Sequence, residues 1–347
     1  MINLSHFAIF DVEGADAEGL MEYLSVAKVG ADTAIGKGVY THFLDHAGGI
    51  RSDLTIIRLA EDCFRVVCGG DTGHRDYIWM RDMSGRKGFA NVTFHDRSEE
   101  LATLGLWGPE ARVTLAKLMD DPESISNESF PFATTKEITV CGVKVWAFRI
   151  SYVGEQGWEL YFPFSDGLAI WDALFKLGVT PVGIETYANS RRLEKSLRLQ
   201  NADLEIDYNL YEAGLARPKV KAADFHGKEA YVQQRELDEQ AAYLCTFVLQ
   251  DTTDSSGVVR YPVGNWPILD PASKDVIIDA HGRRSYTTSM AFGPSLGVNV
   301  AMGYLPTDKA KEGDTVLIEY FGEHYEAKVM KVGYGALLDP TNERPKS

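Results

Sequence analysis

Long apolar runs are absent from the 347-residue sequence. No stretch reaches about 18 uncharged apolar residues, so no membrane-spanning helix is expected. The opening Met1-Ile2-Asn3-Leu4-Ser5-His6 lacks a basic flank and an apolar core, and so does not read as a secretion signal. Positive charge is scarce: 35 Lys and Arg stand against 50 Asp and Glu, a net charge of -15. That balance argues against a nucleic-acid backbone as partner, although it leaves room for a local basic pocket. Cysteine is scarce too. Cys63, Cys68, Cys141 and Cys245 form no CxxC pair and no pattern with histidine, which predicts reduced thiols, no structural zinc and a cytoplasmic protein. His42, His46, His74 and His95 lack ligand-like spacing and read as surface or satisfied histidines, so no metal site is expected. No glycine-rich loop of the dinucleotide type follows a strand, which excludes flavin binding by this chain alone.

What is present is an ordinary globular composition, 45% apolar and 24% charged. Phe7–Val12 alternates as a strand, and a helix follows over Ala17–Leu24 with Leu20 and Leu24 four residues apart. Val39–Leu44, Ile50–Leu59 and Cys63–Cys68 read as an antiparallel meander, followed by a helix over Thr72–Met83. A second strand, helix and hairpin run from Phe89 to Leu177, without repeating the residue identities. Within them, Leu168, Trp171, Leu174 and Phe175 predict the core face of a helix, and another helix is expected over Glu185–Leu197. The composition shifts at the charged stretch Glu236–Gln240, and short strands with turn signals beyond it read as a small β-barrel. The expected organisation is α+β: residues 1–235 as two subdomains, about 1–85 and 86–235, then a barrel over 241–347.

Near the middle lies Gly154-Glu155-Gln156-Gly157-Trp158-Glu159-Leu160, after the β-branched run Val143–Val153 and before Tyr161-Phe162-Pro163. It reads as strand, tight glycine turn, strand. Glycines let a backbone approach a flat ligand, and a carboxylate beside it can accept paired N–H donors from a heterocycle. An ordinary hairpin with two solvated acids fits the same residues.

Several segments in order resemble the folate-binding aminomethyltransferase family, that of the glycine-cleavage T protein. Leu4-Ser5-His6 with Val12-Glu13-Gly14 looks like the family's opening strand, and Gly38-Val39-Tyr40 through Gly48-Gly49-Ile50-Arg51-Ser52-Asp53-Leu54 like its pterin-side hairpin. Leu106-Trp107-Gly108-Pro109-Glu110-Ala111 is similar to a family helix start, and Tyr152-Val153-Gly154-Glu155-Gln156-Gly157-Trp158-Glu159 to its Y-T/V-G-E-x-G-x-E signature. Arg192-Leu193-Glu194 and Asn299-Val300-Ala301-Met302-Gly303-Tyr304 are similar to two further signatures. The wording of the central signature and the tail Leu338–Arg344 resemble the folate domain of dimethylglycine and sarcosine dehydrogenases and free-standing tetrahydrofolate-dependent demethylases more than the T protein itself. Departures point the same way. Ser52 stands where T proteins carry the first of two aspartates, and the arginine usual near the last hairpin is absent around Phe321-Gly322. The segment that precedes the opening strand in the family has no counterpart, which suggests a partner subunit supplying it.

The resemblance implies tetrahydrofolate as one-carbon acceptor and a methylated small molecule (amine, sulfonium or aryl methyl ether) as donor of a methyl or methylene group. It places Glu159 under the pteridine, Tyr40 and Val66 along the pterin slot, and Asp53 and Tyr152 at the reacting groups. Asp53 and Ser52 are neighbours on one strand, so only one of them can face the pocket; Ser52 is kept as a cofactor contact. A T-protein-like aminomethyltransferase remains open, as does a non-catalytic folate-binding subunit of a larger amine oxidase or demethylase.

Overall fold

The computed structural model describes residues 1–261 and 263–347. Its N-terminal half uses one unit twice. The first copy runs β1 (Ile2–Asn3), β2 (Ala8–Glu13), α1 (Ala17–Leu24), β3 (Gly38–Leu44), β4 (Ile50–Arg58), β5 (Cys63–Cys68) and α2 (Gly73–Lys87). The second runs β6 (Thr93–Asp96), β7 (Leu101–Trp107), α3 (Ala111–Ala116), β8 (Thr135–Val140), β9 (Val143–Phe148), β10 (Gly157–Pro163) and α4 (Gly167–Lys176). The sheets have matching orders, β3-β4-β5-β2-β6 and β8-β9-β10-β7-β1. Their fifth strands are exchanged: β1 pairs with β7 of the second copy, and β6 with β2 of the first. Each copy therefore completes the other's sheet.

Strand alternation decides what each face does. On β4, Leu54 and Ile56 join Phe64, Val66 and Cys68 of β5 in a core under α1 and α2, where Leu20, Leu24, Met80 and Met83 cover them. On β10, Trp158, Leu160 and Phe162 join the second core with Ala111, Leu115, Ile170 and Leu174. The opposite faces of the two sheets meet through Ile9, Ile57, Val67, Phe148 and Tyr161. Asp53 and Glu159 lie on these inner faces.

The C-terminal part contains β11 (Ala242–Leu249), β12 (Ile268–Leu269), β13 (Thr287–Gly293), β14 (Val298–Pro306), β15 (Thr315–Tyr320) and β16 (Glu323–Val332), ordered β12-β15-β16-β11-β14-β13. A bridge between Pro267 and Tyr286 joins the two edge strands and rolls the sheet into a barrel around Phe247, Leu249, Ile268, Ile318 and Val329. Arg192 fastens the barrel to the rest. It is fully buried, pairs with Asp203 at 2.6 Å, and donates to Ser289 Oγ of β13 at 2.5 Å. Glu194, also buried, accepts from the Ser295 N–H at 2.6 Å. Among the described residues, no helix is long and apolar enough to cross a membrane.

Three local expectations need correction. In α4 the buried residues are Ile170 and Leu174, whereas Leu168 is 79% and Phe175 56% exposed. The apolar stripe is wider than the contact, and the helix is rotated so that Ile170, Trp171 and Leu174 meet the sheet. The segment Glu185–Leu197 is not a regular helix: a π-helical stretch, Thr186–Arg191, passes into one short turn, Arg192–Glu194, ended by Ser196 at φ 52°. The central turn is a long loop rather than a tight one. β9 stops at Phe148, which pairs with Glu159, so Arg149–Gln156 lies between the strands. The chain leaves the sheet where the buried Arg149 guanidinium turns to the Phe130 and Lys346 carbonyls.

Candidate active site

Asp53 sits on the inner face of β4, opposite His42 of β3. Tyr40, two residues before His42, shares that face, and its hydroxyl donates to Asp53 Oδ2 at 2.8 Å. Burial pushes the Asp53 carboxyl up to about 6; the Tyr40 hydrogen bond opposes this, and the Asp76 and Asp71 charges add to it. Tyr40 keeps 39% of its surface open, yet burial is the foremost cause raising its phenol well above the usual range. Both hold for a ring lining a recess within the molecule, where surface is accessible but bulk water is distant.

Glu159 approaches from the second sheet. It is 8% exposed and lies between Phe148 of β9 and Gly105 of β7. Gly105 lets the Trp107 ring lie against β7 beside Glu159: a Cβ there would meet that ring at 2.0 Å. The Tyr161 hydroxyl donates to Glu159 Oε2, and among the described residues Oε1 has no side-chain or backbone donor. Burial raises the Glu159 carboxyl to about 7, with the Tyr161 hydrogen bond pulling the other way.

An aromatic wall closes one side. Trp107 stacks on Tyr187 at 5.6 Å, and Tyr187 packs against Tyr152 at 5.1 Å. The Trp107 indole donates to the Ile150 carbonyl at 2.7 Å, which fixes the edge of the wall. Tyr152 stands in the loop after β9, not on a strand, and its hydroxyl donates to the Arg198 carbonyl at 2.6 Å. Tyr187 lies within electrostatic reach of Glu159, Tyr152 and Asp53 together. The Arg198 guanidinium is tied to the Ala213 and Gly333 carbonyls. Arg217 donates to the Tyr40 carbonyl.

The fold thus brings Tyr40, Asp53 and Tyr152 within electrostatic reach of one another, and Tyr187 within reach of Asp53, Tyr152 and Glu159. It does not bring Ser52 or Val66 there. The Ser52 side chain is fully buried on the other face of β4, donating to Asp76 of α2. Strand parity gives Asp53 the inner face, so the expectation of Ser52 as a cofactor contact is corrected. The Val66 side chain packs in the core under the helices and its neighbour Val67 faces inward, so of the backbone and apolar contact expected of Val66 along the slot the apolar part is corrected. Glu155 pairs with Arg191 at 2.8 Å and Arg344 at 3.0 Å, a structural role at the loop.

His42 also needs correction. It is neither a surface nor a satisfied histidine: it is 1% exposed, and neither ring nitrogen has a partner among the described residues. Burial, reinforced by the Arg217 and Arg198 charges, lowers it to about 3, so it is neutral at ordinary pH. Its ring meets Tyr40 edge-on at 4.9 Å. The signal that could have found it is strand parity, since Tyr40 and His42 share a face. Tyr161 and Tyr187 were missed as site residues for different reasons. The first is two residues from Glu159 and legible by the same parity; the second belongs to a π-helical stretch with no periodicity to read.

Chemically, the site offers two carboxyls, the half-buried Asp53 near 6 and the buried Glu159 near 7, each with one oxygen held by a tyrosine. A carboxylate is an acceptor only. The arrangement suits a flat heterocycle presenting N–H groups to Glu159 and an amine presented to Asp53.

Comparison with known proteins bears on this arrangement. Residues 1–221 match the GCVT N-terminal domain and residues 267–332 the glycine cleavage T-protein C-terminal barrel domain. Dimethylglycine dehydrogenase of Rattus norvegicus is 30% identical over 99% of this chain, which spans 38% of that protein's length. An aminomethyltransferase of Burkholderia multivorans is 26% identical over 96% of the chain and 85% of its own length. The crystal structure of the glycine cleavage system aminomethyltransferase T from Bartonella henselae matches over 95% of this chain and 84% of that one, with TM-score 0.79 and 24% identity, and shares the fold.

Proposed function

We propose that this chain, which belongs to the glycine cleavage T-protein family, moves a one-carbon group to N5 of tetrahydrofolate: a methyl group displaced from a methylated small molecule, which leaves as the amine, sulfide or phenol, or a methylene group that a separate flavin oxidase has already raised to the iminium level. The family takes tetrahydrofolate as its one-carbon carrier. The observation that carries the assignment to this recess is the buried Glu159 carboxylate, with Tyr161 on one oxygen and the other without a donor among the described residues. Such a group fits the amino-pteridine edge, whose N–H groups need an anionic acceptor, and the Trp107–Tyr187–Tyr152 wall fits a flat ring system.

When bound, tetrahydrofolate supplies a nucleophilic secondary amine at N5. The residues of this chain do the rest. Glu159 anchors the pteridine through its N–H groups, and each carboxylate oxygen has lone pairs enough to accept from Tyr161 and from the ligand. Asp53 acts as the base. A carboxyl near 6 is mostly ionised at neutral pH, yet basic enough to take up a proton from an amine in its reach. Tyr40 holds Asp53 Oδ2 and leaves Oδ1 for that proton. Tyr152, tied to the Arg198 carbonyl, orients the leaving group's side of the recess. The apolar layer between the sheets limits water, which would otherwise compete for the one-carbon group.

The donor is a methylated amine, sulfonium compound or aryl methyl ether. The kinship with dimethylglycine dehydrogenase favours the amine, and because this chain spans only 38% of that protein, the relative's whole activity is not carried over. A second reading, aminomethyl transfer from a carrier, is favoured by the aminomethyltransferase relative matched over 85% of its length. A screen of the three donor classes with tetrahydrofolate, following methyl- or methylene-tetrahydrofolate formation, tests the proposal. Turnover only with an aminomethyl-lipoyl carrier, with ammonia release, would replace it by the second reading.

A further inference from the structure

We propose that Tyr161 is a positioning residue for folate: its hydroxyl clamps Glu159 Oε2, fixing the carboxylate so that Oε1 faces the recess. The proposal rests on the folate reading above and concerns a residue that does not itself touch the ligand.

The geometry is set by β10. Tyr161 and Glu159 are two residues apart and so project from the same face. Tyr161 is 2% exposed and packed with Ile9, Ile57 and Phe148 in the layer between the sheets. That packing allows its ring little rotation. Its hydroxyl has Glu159 as its hydrogen-bond partner. Glu159 pairs with Gly105, and the Trp107 ring fills the space that a side chain there would take. Without the clamp the carboxylate has no hydrogen bond among the described residues to hold its orientation, so an oriented acceptor would have to be ordered anew on each binding event.

The clamp also acts on charge. The groups near Glu159 are few. From its own strand there is Tyr161; from the π-helical stretch, Tyr187; and from β5, Arg65, which acts on Tyr161 while paired with Asp11 at 2.8 Å. Among the described residues none is a free cation beside the carboxylate. Burial favours the protonated acid, and the Tyr161 hydrogen bond is the opposing influence. A protonated Glu159 would set a donor against the pteridine's donors. Tyr161 thereby extends folate binding to lower pH.

The test compares wild type, Tyr161→Phe and Glu159→Gln. Infrared difference spectra against Glu159→Gln isolate the Glu159 carboxyl band and give its protonation midpoint without folate. The expected result is a midpoint about one pH unit higher in Tyr161→Phe. Tetrahydrofolate affinity measured from pH 6 to 9 is expected to be lower in Tyr161→Phe at every pH, from the lost orientation, and lower by about a further fivefold at pH 7, the further loss closing toward pH 9, where both proteins carry ionised Glu159. In the Glu159→Gln background, Tyr161→Phe should have no such pH-dependent effect. Affinity equal to wild type in Tyr161→Phe at every pH, or an unmoved midpoint, overturns the role of Tyr161 alone. Absence of wild-type binding at any pH overturns the folate reading and the positioning role with it.

Discussion

Glu159 is held for a ligand at a cost to the folded chain, and replacing it with glutamine makes that cost measurable. The carboxyl moves from 4.5 in the unfolded chain to about 7 in the fold. Because the folded value is the higher one, the folded state binds the proton more tightly. The stability from this group is fully present below about pH 4.5 and lost as pH rises through 7. At 1.36 kcal/mol per pH unit, the loss above pH 8 is about 3 kcal/mol. Glutamine mimics the neutral acid and can accept from Tyr161. Glu159→Gln should therefore be more stable than wild type at pH 8, by up to that amount, and equal to it near pH 4. Urea unfolding of both proteins, free of folate, at half-unit steps from pH 4 to 8.5 gives the difference directly. Asp53 titrates in both and cancels. A difference that is flat across this range, or a variant less stable at pH 8, would refute the argument that Glu159 is a desolvated acid.

The other predictions concern its neighbours. Asp53→Asn should lower turnover by roughly a hundredfold and remove the limb near pH 6 from the pH–rate profile, with folate affinity changed far less; pre-steady-state turnover and titration calorimetry separate the two. His42→Phe should resist acid better. The imidazole stays neutral in the fold down to about pH 3 but charges in the unfolded chain below 6.5, so the wild type loses stability as pH falls between those values. Removing two orphaned nitrogens should add about 1 kcal/mol even at pH 7, read from urea midpoints. Ser52→Ala should cost roughly 1–3 kcal/mol by depriving buried Asp76 of its hydroxyl partner, while leaving folate affinity near wild type; an affinity loss would return Ser52 to the recess.

Much of the N-terminal half is legible in the sequence because β4 and β10 alternate cleanly: one face is apolar, and the other carries Asp53 or Glu159. The twofold use of one unit shows in the order of elements, but the exchange of β1 and β6 does not. Ile2–Asn3 and Thr93–Asp96 are too short to announce a partner, and pairing across sheets is a long-range choice. Parity alone could say that Ser52 and Asp53 oppose each other, not which one faces inward. That depends on where α1 and α2 pack, and they cover the Ser52 side. The stripe of α4 misled because Leu168 and Phe175 are apolar without being covered. β-branched neighbours give Tyr152 the pattern of a strand residue, whereas burial of Arg149 ends the strand first. His42 was hidden for another reason: an unpaired buried imidazole breaks the rule that interior polar groups find partners, and sequence reading assumes that rule.

The measurement that bears most directly on the central claim is isothermal titration of the purified chain with tetrahydrofolate at pH 7.5, run beside Glu159→Gln. The expected result is one-to-one binding by wild type, and binding weaker by about tenfold or more in the variant, as loss of a charged acceptor for two N–H groups requires. Equal affinity in the two proteins would remove Glu159 from the site, and no binding by wild type would contradict the folate-dependent function.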